Sequence, residues 1–321
     1  MGDRGLLDLI IGRFPGISPA DRIRLCTHFD GEAEFTLLSG GDIEGILKKP
    51  LDARFRTMAE LQAMAERDAA AARLRGIAYV SYAQREYPPL LREIYDPPVL
   101  LFYRGLMPDP EQPLAAVVGT RKPSGPAAAQ AYDIARELGR NGVPAVSGLA
   151  LGIDALAHRG NLDGGGATVA VLGSGLDQVY PAANRTLARR IVEGGGVLLS
   201  EYPPGTEPRK WHFPARNRII AGLARGTLLV EAPETSGALI TARFALEQGR
   251  DLWVASSGAV PGNGTGEGTR KLAGEGARVV SSGYSILAEW GIPPRGGTGE
   301  TPFRDGAGLA KTLARQLNLN L

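Results

Sequence analysis

Residues 114–147 read LAAVVGTRKPSGPAAAQAYDIARELGRNGVPAVS, and this stretch decides the fold. It begins with an apolar run, Leu114–Val118, and continues as an alanine-rich amphipathic segment, Pro126–Arg140. A second apolar run, Val143–Ser147, closes it. Two runs of strand length separated by a helical segment make a β-α-β unit, whose strands are parallel. The stretch therefore predicts an α/β fold built on a parallel sheet.

The same alternation continues towards the carboxyl terminus. Further runs of strand length are Thr168–Leu172, Val197–Ser200, Thr227–Glu231, Asp251–Ala255 and Ala277–Val280. Amphipathic or alanine-rich segments such as Gly237–Gln248 lie between most of them. Two earlier runs, Ile77–Tyr82 and Val99–Tyr103, also predict strands. Because the runs are almost continuously apolar, we expect a sheet that is covered on both faces.

The amino-terminal part has a different hydrophobic pattern, with apolar residues at helical spacing instead of continuous apolar runs. Ser18-Pro19-Ala20 predicts a helix start with proline in the first turn, and Leu51–Ala72 predicts one long helix. The helix, Pro15-Gly16-Ile17 turn and helix resemble a helix-hairpin-helix or SAM-like module. Such a module binds the DNA backbone or acts as a small interaction domain. Ser18 favours the second role, since the hairpin motif usually has a glycine there.

These changes of sequence pattern divide the chain into three parts. We predict a small all-α SAM-like/helix-hairpin-helix module over residues 1–72 and an extended Rossmann-like parallel-sheet domain over 73–291. Residues 292–321 form a Gly/Pro-rich tail with one short helical candidate, Ala307–Leu317. We expect this tail to be too short for a winged-helix domain.

Composition excludes several classes of protein. The 321 residues include 44 glycines and 23 prolines without a collagen period, and the 43% hydrophobic share allows a packed core. Cys26 is the only cysteine and the three histidines are scattered, so we expect neither disulfides nor a metal site. No apolar run is long enough to span a membrane and no signal peptide is evident, which predicts a cytoplasmic protein.

Small residues follow four of the predicted strands. They are Gly119 and Thr120, Ser147 and Gly148, Gly173 and Ser174, and Ser236 and Gly237. The carboxyl ends of parallel strands share one edge of the sheet, where helix amino termini also favour anions. Helices are predicted to start at this edge at Ser124, Gly152 and Gly237. The edge is therefore a candidate phosphate-binding surface, although each loop alone could be only a tight turn.

Positive charge is concentrated on the same loops, although the net charge is only +2. Arg121 and Lys122 lie in a stretch without acidic residues, and so do Arg209, Lys210, Arg216, Arg218 and Arg225. The second stretch contains Lys210-Trp211-His212-Phe213-Pro214, which we predict to be a loop. Cations neutralise phosphates and rings stack on bases of any sequence, so this pattern is typical of single-stranded nucleic-acid binding.

Other site chemistries fit poorly. Gly173-Ser174-Gly175 lacks the third glycine of a dinucleotide fingerprint, and the chain has neither a Walker A lysine motif nor a Gly-x-Ser-x-Gly elbow. We therefore expect no cofactor and no acyl-transfer triad.

These segments together resemble one protein family. They are Tyr87-Pro88, Asp96-Pro97-Pro98, Val118-Gly119-Thr120-Arg121, Ser147–Ala155 with His158, Leu172–Asp177 with Tyr180-Pro181 and Asn184, Ser200–Gly205, Phe213–Gly222 and Ser236–Arg250. In order and spacing they are similar to the DNA-processing protein A (DprA/Smf) family over about residues 76–290.

The resemblance implies a Rossmann-like domain that binds single-stranded DNA without sequence preference. It implies protection of incoming DNA and loading of RecA recombinase in natural transformation, by a homodimer with no catalytic reaction. Pairing would use the later part of the domain, around Gly276–Ile286.

Residue roles follow from the resemblance position by position. Arg121 and Lys210 match phosphate contacts and Phe213 matches a base-stacking ring. A backbone cradle would comprise Gly119, Thr120, Ser147, Gly148, Gly173 and Ser174, flanked by Asn217 and Arg218. From their place on the same loops we add Lys122, Arg216, Ser236 and Gly237.

Two alternatives remain open. A nucleotide hydrolase of the phosphoribohydrolase type could use Glu201, Glu231 or Asp177 as a general base, although its Pro-Gly-Gly-x-Gly-Thr loop is missing here. A protein scaffold acting through the helical module is the other.

Overall fold

The structure is a computed structural model that describes residues 4–295 except 5, 53, 56 and 261–263. The helix expected at Ala307–Leu317, and with it the question of a winged-helix domain, lies outside the described residues. In the part of the chain that is described, no helix is long and apolar enough to cross a membrane.

One sheet of nine strands organises the fold. The strands are β1 (Ala78–Ser81), β2 (Leu100–Gly105), β3 (Ala115–Val118), β4 (Ala145–Ser147), β5 (Val169–Val171), β6 (Val197–Ser200), β7 (Gly226–Leu229), β8 (Asp251–Ala255) and β9 (Arg278–Val280). Each of them falls on a run that the sequence predicts to be a strand, so those nine predictions are confirmed.

The strand order is β1-β2-β6-β5-β4-β3-β7-β8-β9. The seven strands β3 to β9 pair in parallel, whereas β1 and β2 add an antiparallel extension beside β6. The chain moves outward from β3 to β6 on one side and from β7 to β9 on the other. This is the doubly wound order with an extension, which confirms the extended Rossmann-like prediction.

Fourteen α-helices complete the described residues. They are α1 (Leu7–Gly12), α2 (Pro19–His28), α3 (Glu32–Thr36), α4 (Gly40–Leu47), α5 (Met58–Leu74), α6 (Pro89–Arg92), α7 (Gly125–Arg140), α8 (Ile153–Asp163), α9 (Arg185–Glu193), α10 (His212–Leu223), α11 (Gly237–Glu247), α12 (Ser256–Ala259), α13 (Glu267–Gly274) and α14 (Gly283–Glu289).

The predicted start of the long amino-terminal helix is wrong. Helix α5 begins at Met58 and not near Leu51, because Thr57 and Glu60 form a capping box. The Thr57 hydroxyl accepts the Glu60 amide, and the Glu60 carboxylate accepts the Thr57 amide. The start of α2 at Pro19, capped by Ser18, is confirmed.

The amino-terminal helices and the sheet share a hydrophobic cluster. Leu9 and Phe14 belong to the same buried group as Phe102, Leu172 and Leu198 from the sheet side. The helical segment is therefore packed directly against the sheet, and its division from the rest as a separate domain stays a prediction.

Several of the 44 glycines lie at the contact between helices α7 and α8. A Cβ atom added to Gly160 would overlap the backbone oxygen of Tyr132, and one added to Gly164 would overlap that of Arg136. Gly139 faces the backbone oxygen of Asn161 in the same way. These glycines let the two helices approach backbone to backbone, which positions α8 under the loop that follows β4.

Replacing Gly160 with alanine tests this contact. Alanine favours a helix over glycine by about 1 kcal/mol, but overpacking costs about 1–3 kcal/mol, so we expect Gly160→Ala to lower the free energy of unfolding. Gly45 in α4 has no atom near its missing Cβ, so Gly45→Ala should instead raise it. Urea unfolding of both variants measures the sign, and equal stabilisation of both would contradict the packing argument.

Candidate nucleic-acid interface

The predicted ligand edge is assembled as expected from the parallel strands. The loops after β3, β4, β5 and β7 leave the same side of the sheet, since these strands run in one direction. Helices α7, α8 and α11 start there, with Ser124, Gly152 and Ser236 at their caps. Their positive ends therefore lie at this edge.

Helix α10 brings the basic, aromatic segment to the edge. The prediction that Lys210–Pro214 is a loop is wrong from His212 onward, where α10 begins. Phe213, in its first turn, packs over the loop after β5: a Cβ on Gly173 would lie 3.1 Å from the Phe213 ring. The His212 Nδ1 atom lies 3.1 Å from the Gly173 oxygen. A side chain at position 173 would therefore crowd the Phe213 ring, which explains the glycine there.

Arg216, one turn further along α10, is buried, with 4% of its surface exposed. One guanidinium nitrogen donates to the backbone oxygen of Gly148 at 2.9 Å and also to that of Val171. Burial lowers the pKa of Arg216 to about 10, and the charge of Asp154 opposes that shift. Arg216 thus ties together the carboxyl ends of β4 and β5.

Asp154 holds the loop after β4 from the other side. Its carboxylate accepts the amides of Gly148 at 3.1 Å and Ala150 at 3.4 Å. Burial raises the pKa of Asp154, and the charge of Arg216 acts against that rise. Between these contacts Leu149 adopts a φ of 56°, which is rare for a residue with a side chain.

His158 has a structural environment. Its Nδ1 atom lies 2.7 Å from the Thr168 hydroxyl, which itself donates to the Ala145 oxygen at 2.7 Å. The hydroxyl proton is therefore used, and the ring must donate from Nδ1. Burial, reinforced by the charge of Arg216, lowers the pKa of His158 to about 3, so the ring is neutral at physiological pH.

Three cations of the predicted site are exposed. Arg121 and Lys122 lie on the loop after β3, and Lys210 lies just before α10. Among the described residues, none of the three has a side-chain hydrogen bond or ion pair with the protein. The charge of Arg121 contributes to lowering the pKa of Arg216.

Two exposed rings flank the first turn of α10. Tyr180 is 47% exposed and lies beside Phe213, with ring centroids 5.5 Å apart. Trp211 is 64% exposed, and the Arg209 guanidinium lies 5.4 Å from its ring centroid. Sequence reasoning missed Tyr180, although an aromatic residue shortly after a glycine-rich strand end is the signal that could have found it.

The predicted cradle is largely occupied by the protein itself. The Ser147 hydroxyl donates to the Val117 oxygen at 2.7 Å, and the Ser174 hydroxyl donates to the Gln178 oxygen at 2.7 Å. A Cβ on Gly119 would lie 2.6 Å from the Ile153 side chain. These small residues serve close packing at the edge.

Two amides of the cradle have protein acceptors as well. The Thr120 amide donates to the Glu231 backbone oxygen at 2.7 Å. The Gly148 amide, as described, donates to Asp154. These two amides are therefore not free to bind an anion, whereas the exposed cationic side chains are.

The remaining predicted residues divide into two groups. The Asn217 side chain donates to the Gly237 oxygen at 3.1 Å, and the Ser236 hydroxyl accepts the Ala238 amide at 3.2 Å, so they join α10 to the start of α11. Arg218 is directed elsewhere and belongs to an ion-pair network.

Arg218 pairs with Glu201 at 2.7 Å and with Asp96 at 3.3 Å. Burial works to lower the pKa of Arg218, but the hydrogen bonds and charge of Glu201 outweigh it and raise the pKa above its ordinary value. These three residues line a cavity of about 390 Å³ between the amino-terminal helices and the sheet. Arg218 therefore has carboxylate partners and does not face the edge with Arg121.

Comparison with known proteins gives a consistent result. A family model described as DNA recombination-mediator protein A matches residues 78–291. DNA processing protein DprA of Streptococcus pneumoniae is 47% identical over 207 residues, which cover 64% of this chain and 71% of that protein. DprA of Bacillus subtilis is 40% identical over 238 residues, covering 73% and 77%. Protein Smf of Escherichia coli is 42% identical, but the match spans 53% of its length.

Solved structures agree with these relatives. The X-ray structure of DprA from Streptococcus pneumoniae has a TM-score of 0.70 and 37% identity, covering 90% of this chain and 98% of that one. DNA processing protein A from Helicobacter pylori, whose structure is described in terms of its single-stranded DNA binding mode, has a TM-score of 0.50 and 26% identity. That match covers 74% of this chain and 96% of that one.

Substitution separates the buried arginine from the exposed one. Arg216→Met should lower the free energy of unfolding by about 1–3 kcal/mol for each buried backbone oxygen, at Gly148 and Val171, that loses its donor. Arg121→Met has no protein partner to lose and should change it by less than about 0.5 kcal/mol. Denaturant unfolding checks both values. A mild effect of Arg216→Met, similar to that of Arg121→Met, would refute the structural role assigned to Arg216.

Proposed function

Since the chain belongs to the DNA recombination-mediator protein A family, we propose that it binds single-stranded DNA without preference for base sequence. The observation that carries the proposal is the edge of the sheet, whose loops bear three exposed cations, Arg121, Lys122 and Lys210, together with the exposed ring of Tyr180, which packs against the half-buried ring of Phe213. The single-stranded DNA binding named for the Helicobacter pylori relative supports it.

The chemistry of this edge suits a polymer. Cations attract phosphates over a distance comparable to the Debye length, about 10 Å at 0.1 M salt, and bind them through counterion release. Every base has a face that can stack on an aromatic ring, with about 1–3 kcal/mol per base, whereas reading a sequence needs groups aimed at base edges. The free side chains at this edge are cations and rings, which favours binding without sequence preference.

We propose the same wider role that the family resemblance implies. The chain would protect incoming single strands in the cytoplasm and help to load RecA recombinase during natural transformation. It would work as a homodimer, with residues around Gly276–Ile286 as the candidate pairing region.

Binding without catalysis is the function that the acidic residues favour. Glu201 pairs with Arg218, and Asp177 accepts the Gly205 amide at 2.8 Å and pairs with Arg75 at 3.5 Å. Glu231 is buried, and its carboxylate accepts the Ser124 amide and the Thr265 hydroxyl. Each carboxylate that a nucleotide hydrolase could use as a general base is thus engaged in holding the fold.

Removal of single cations tests the DNA site. Arg121→Ala and Lys210→Ala should each weaken binding of single-stranded DNA and reduce the slope of log K against log salt by about 0.7, since each loses one phosphate contact. The loss should be equal for oligonucleotides of different base sequence. Titration by fluorescence anisotropy over a range of salt concentrations measures it.

The matched control is Arg189→Ala, which removes an exposed arginine from the middle of α9. It carries the same change of charge and should leave the salt slope unaltered. Equal effects of all three substitutions would show a general charge effect and would contradict the assigned site.

Tryptophan fluorescence tests the contribution of the rings. Trp211 is exposed, whereas Trp253 and Trp290 are buried at 1% and 8% exposure. We expect single-stranded DNA to quench the emission by stacking on Trp211, and an abasic oligonucleotide of equal charge to quench it much less. Trp211→Phe should abolish the difference between the two ligands. Equal quenching by both oligonucleotides would argue against base stacking at Trp211.

A further inference from the structure

Doubly wound sheets hold nucleotide phosphates at a defined place. The phosphate lies in the crevice where the strand order reverses, on the amino terminus of the helix that follows the first strand. In this fold the order reverses between β3 and β7, and the corresponding helix is α7. A nucleotide phosphate would therefore be expected near the Ser124 amide.

A carboxylate of the protein already lies there. Glu231 follows β7 and is 1% exposed. Its Oε2 atom accepts the Ser124 amide at 2.7 Å, and its Oε1 atom accepts the Thr265 hydroxyl at 3.0 Å. Its backbone oxygen accepts the Thr120 amide at 2.7 Å, which holds the loop after β3 against the same residue. The glutamate is thus fixed at three points in the crevice.

We propose that Glu231 is a specificity-determining residue, an internal anion that occupies the phosphate position and closes the crevice to nucleotides. An incoming phosphate would find the Ser124 amide already bound to Glu231. It would also be repelled by a fixed negative charge in a region of low dielectric. Asp154 occupies the amides of the next loop in the same manner, at Gly148 and Ala150.

The consequence is a preference for polymers. A mononucleotide offers one phosphate, which neither crevice accepts, whereas a strand offers several phosphates in turn to Arg121, Lys122 and Lys210. The closing of the crevice stands on the geometry alone. The preference for a strand rests on the function proposed above.

The wild-type protein provides the first test. If the crevice is closed, the phosphate adds nothing to nucleotide binding, and thymidine and thymidine monophosphate should bind with affinities within about twofold of each other by isothermal titration calorimetry. A monophosphate that binds tenfold or more tightly than the nucleoside overturns the proposal. This test needs no substitution, so it decides the matter even if a variant fails to fold.

Glu231→Gln provides the second test, because it keeps an acceptor for the Ser124 amide and removes the charge. We expect the affinity for thymidine monophosphate to rise by about tenfold or more, with the affinity for thymidine unchanged. Glu234→Gln is the matched control, since Glu234 is exposed and lies three residues further on, and it should change neither affinity. Thr265→Val removes a hydrogen bond but keeps the carboxylate, so it should not open the crevice.

A folded Glu231→Gln variant, with the circular dichroism spectrum of the wild type, that binds the monophosphate no better than Glu234→Gln does would overturn the proposal. Binding of single-stranded DNA is measured in parallel with the wild-type protein. A gain of nucleotide binding in Glu231→Gln without DNA binding by the wild type would uphold the closed crevice and reject the proposed function.

Discussion

The site depends on the hydrogen bonds that the buried Arg216 guanidinium makes to the backbone oxygens of Gly148 and Val171. A strand end offers carbonyl groups that lose their partners when the sheet stops, and here one side chain satisfies two of them. Because Arg216 belongs to α10, the same contact fixes that helix against the edge. The same helix places Phe213 against Gly173, so the position of this ring also depends on the Arg216 contact.

Burial of this cation has to be balanced, and Asp154 provides the balance. An unpaired charge in the interior costs several kcal/mol, so the two residues stabilise each other's ionised form. The opposing directions of their pKa shifts, a lowered pKa for Arg216 and a raised one for Asp154, both come from burial. The price of this arrangement is that the amides of Gly148 and Ala150 are no longer free for a ligand.

The sheet could be predicted from the sequence because its parallel strands are buried on both faces and therefore read as continuous apolar runs. Helix starts at Ser18 and Ser124 were also predictable, since capping is local chemistry. The site could be predicted only in part. Arg121 and Arg216 both lie in basic stretches without acidic residues, and nothing local distinguishes the exposed one from the buried one. Helix α10 buries Arg216 and therefore decides which of the two arginines is exposed. The sequence around His212 is polar, so it does not show that this helix begins there.

The glycines show the same limit and lead to a change of interpretation. Glycine at a strand end suggests a backbone that a ligand approaches, but Gly119 and Gly173 are approached by the side chains of Ile153 and Phe213. The amides of Thr120 and Ser124 are engaged by Glu231 and those of Gly148 and Ala150 by Asp154, so the fold has used these potential phosphate-binding groups to hold its own loops. At these two loops an anion is then attracted by side chains that extend beyond the backbone. Long flexible cations spaced along an edge neutralise a chain of phosphates far better than they enclose a single one, and this geometry follows from the carboxylates beneath them.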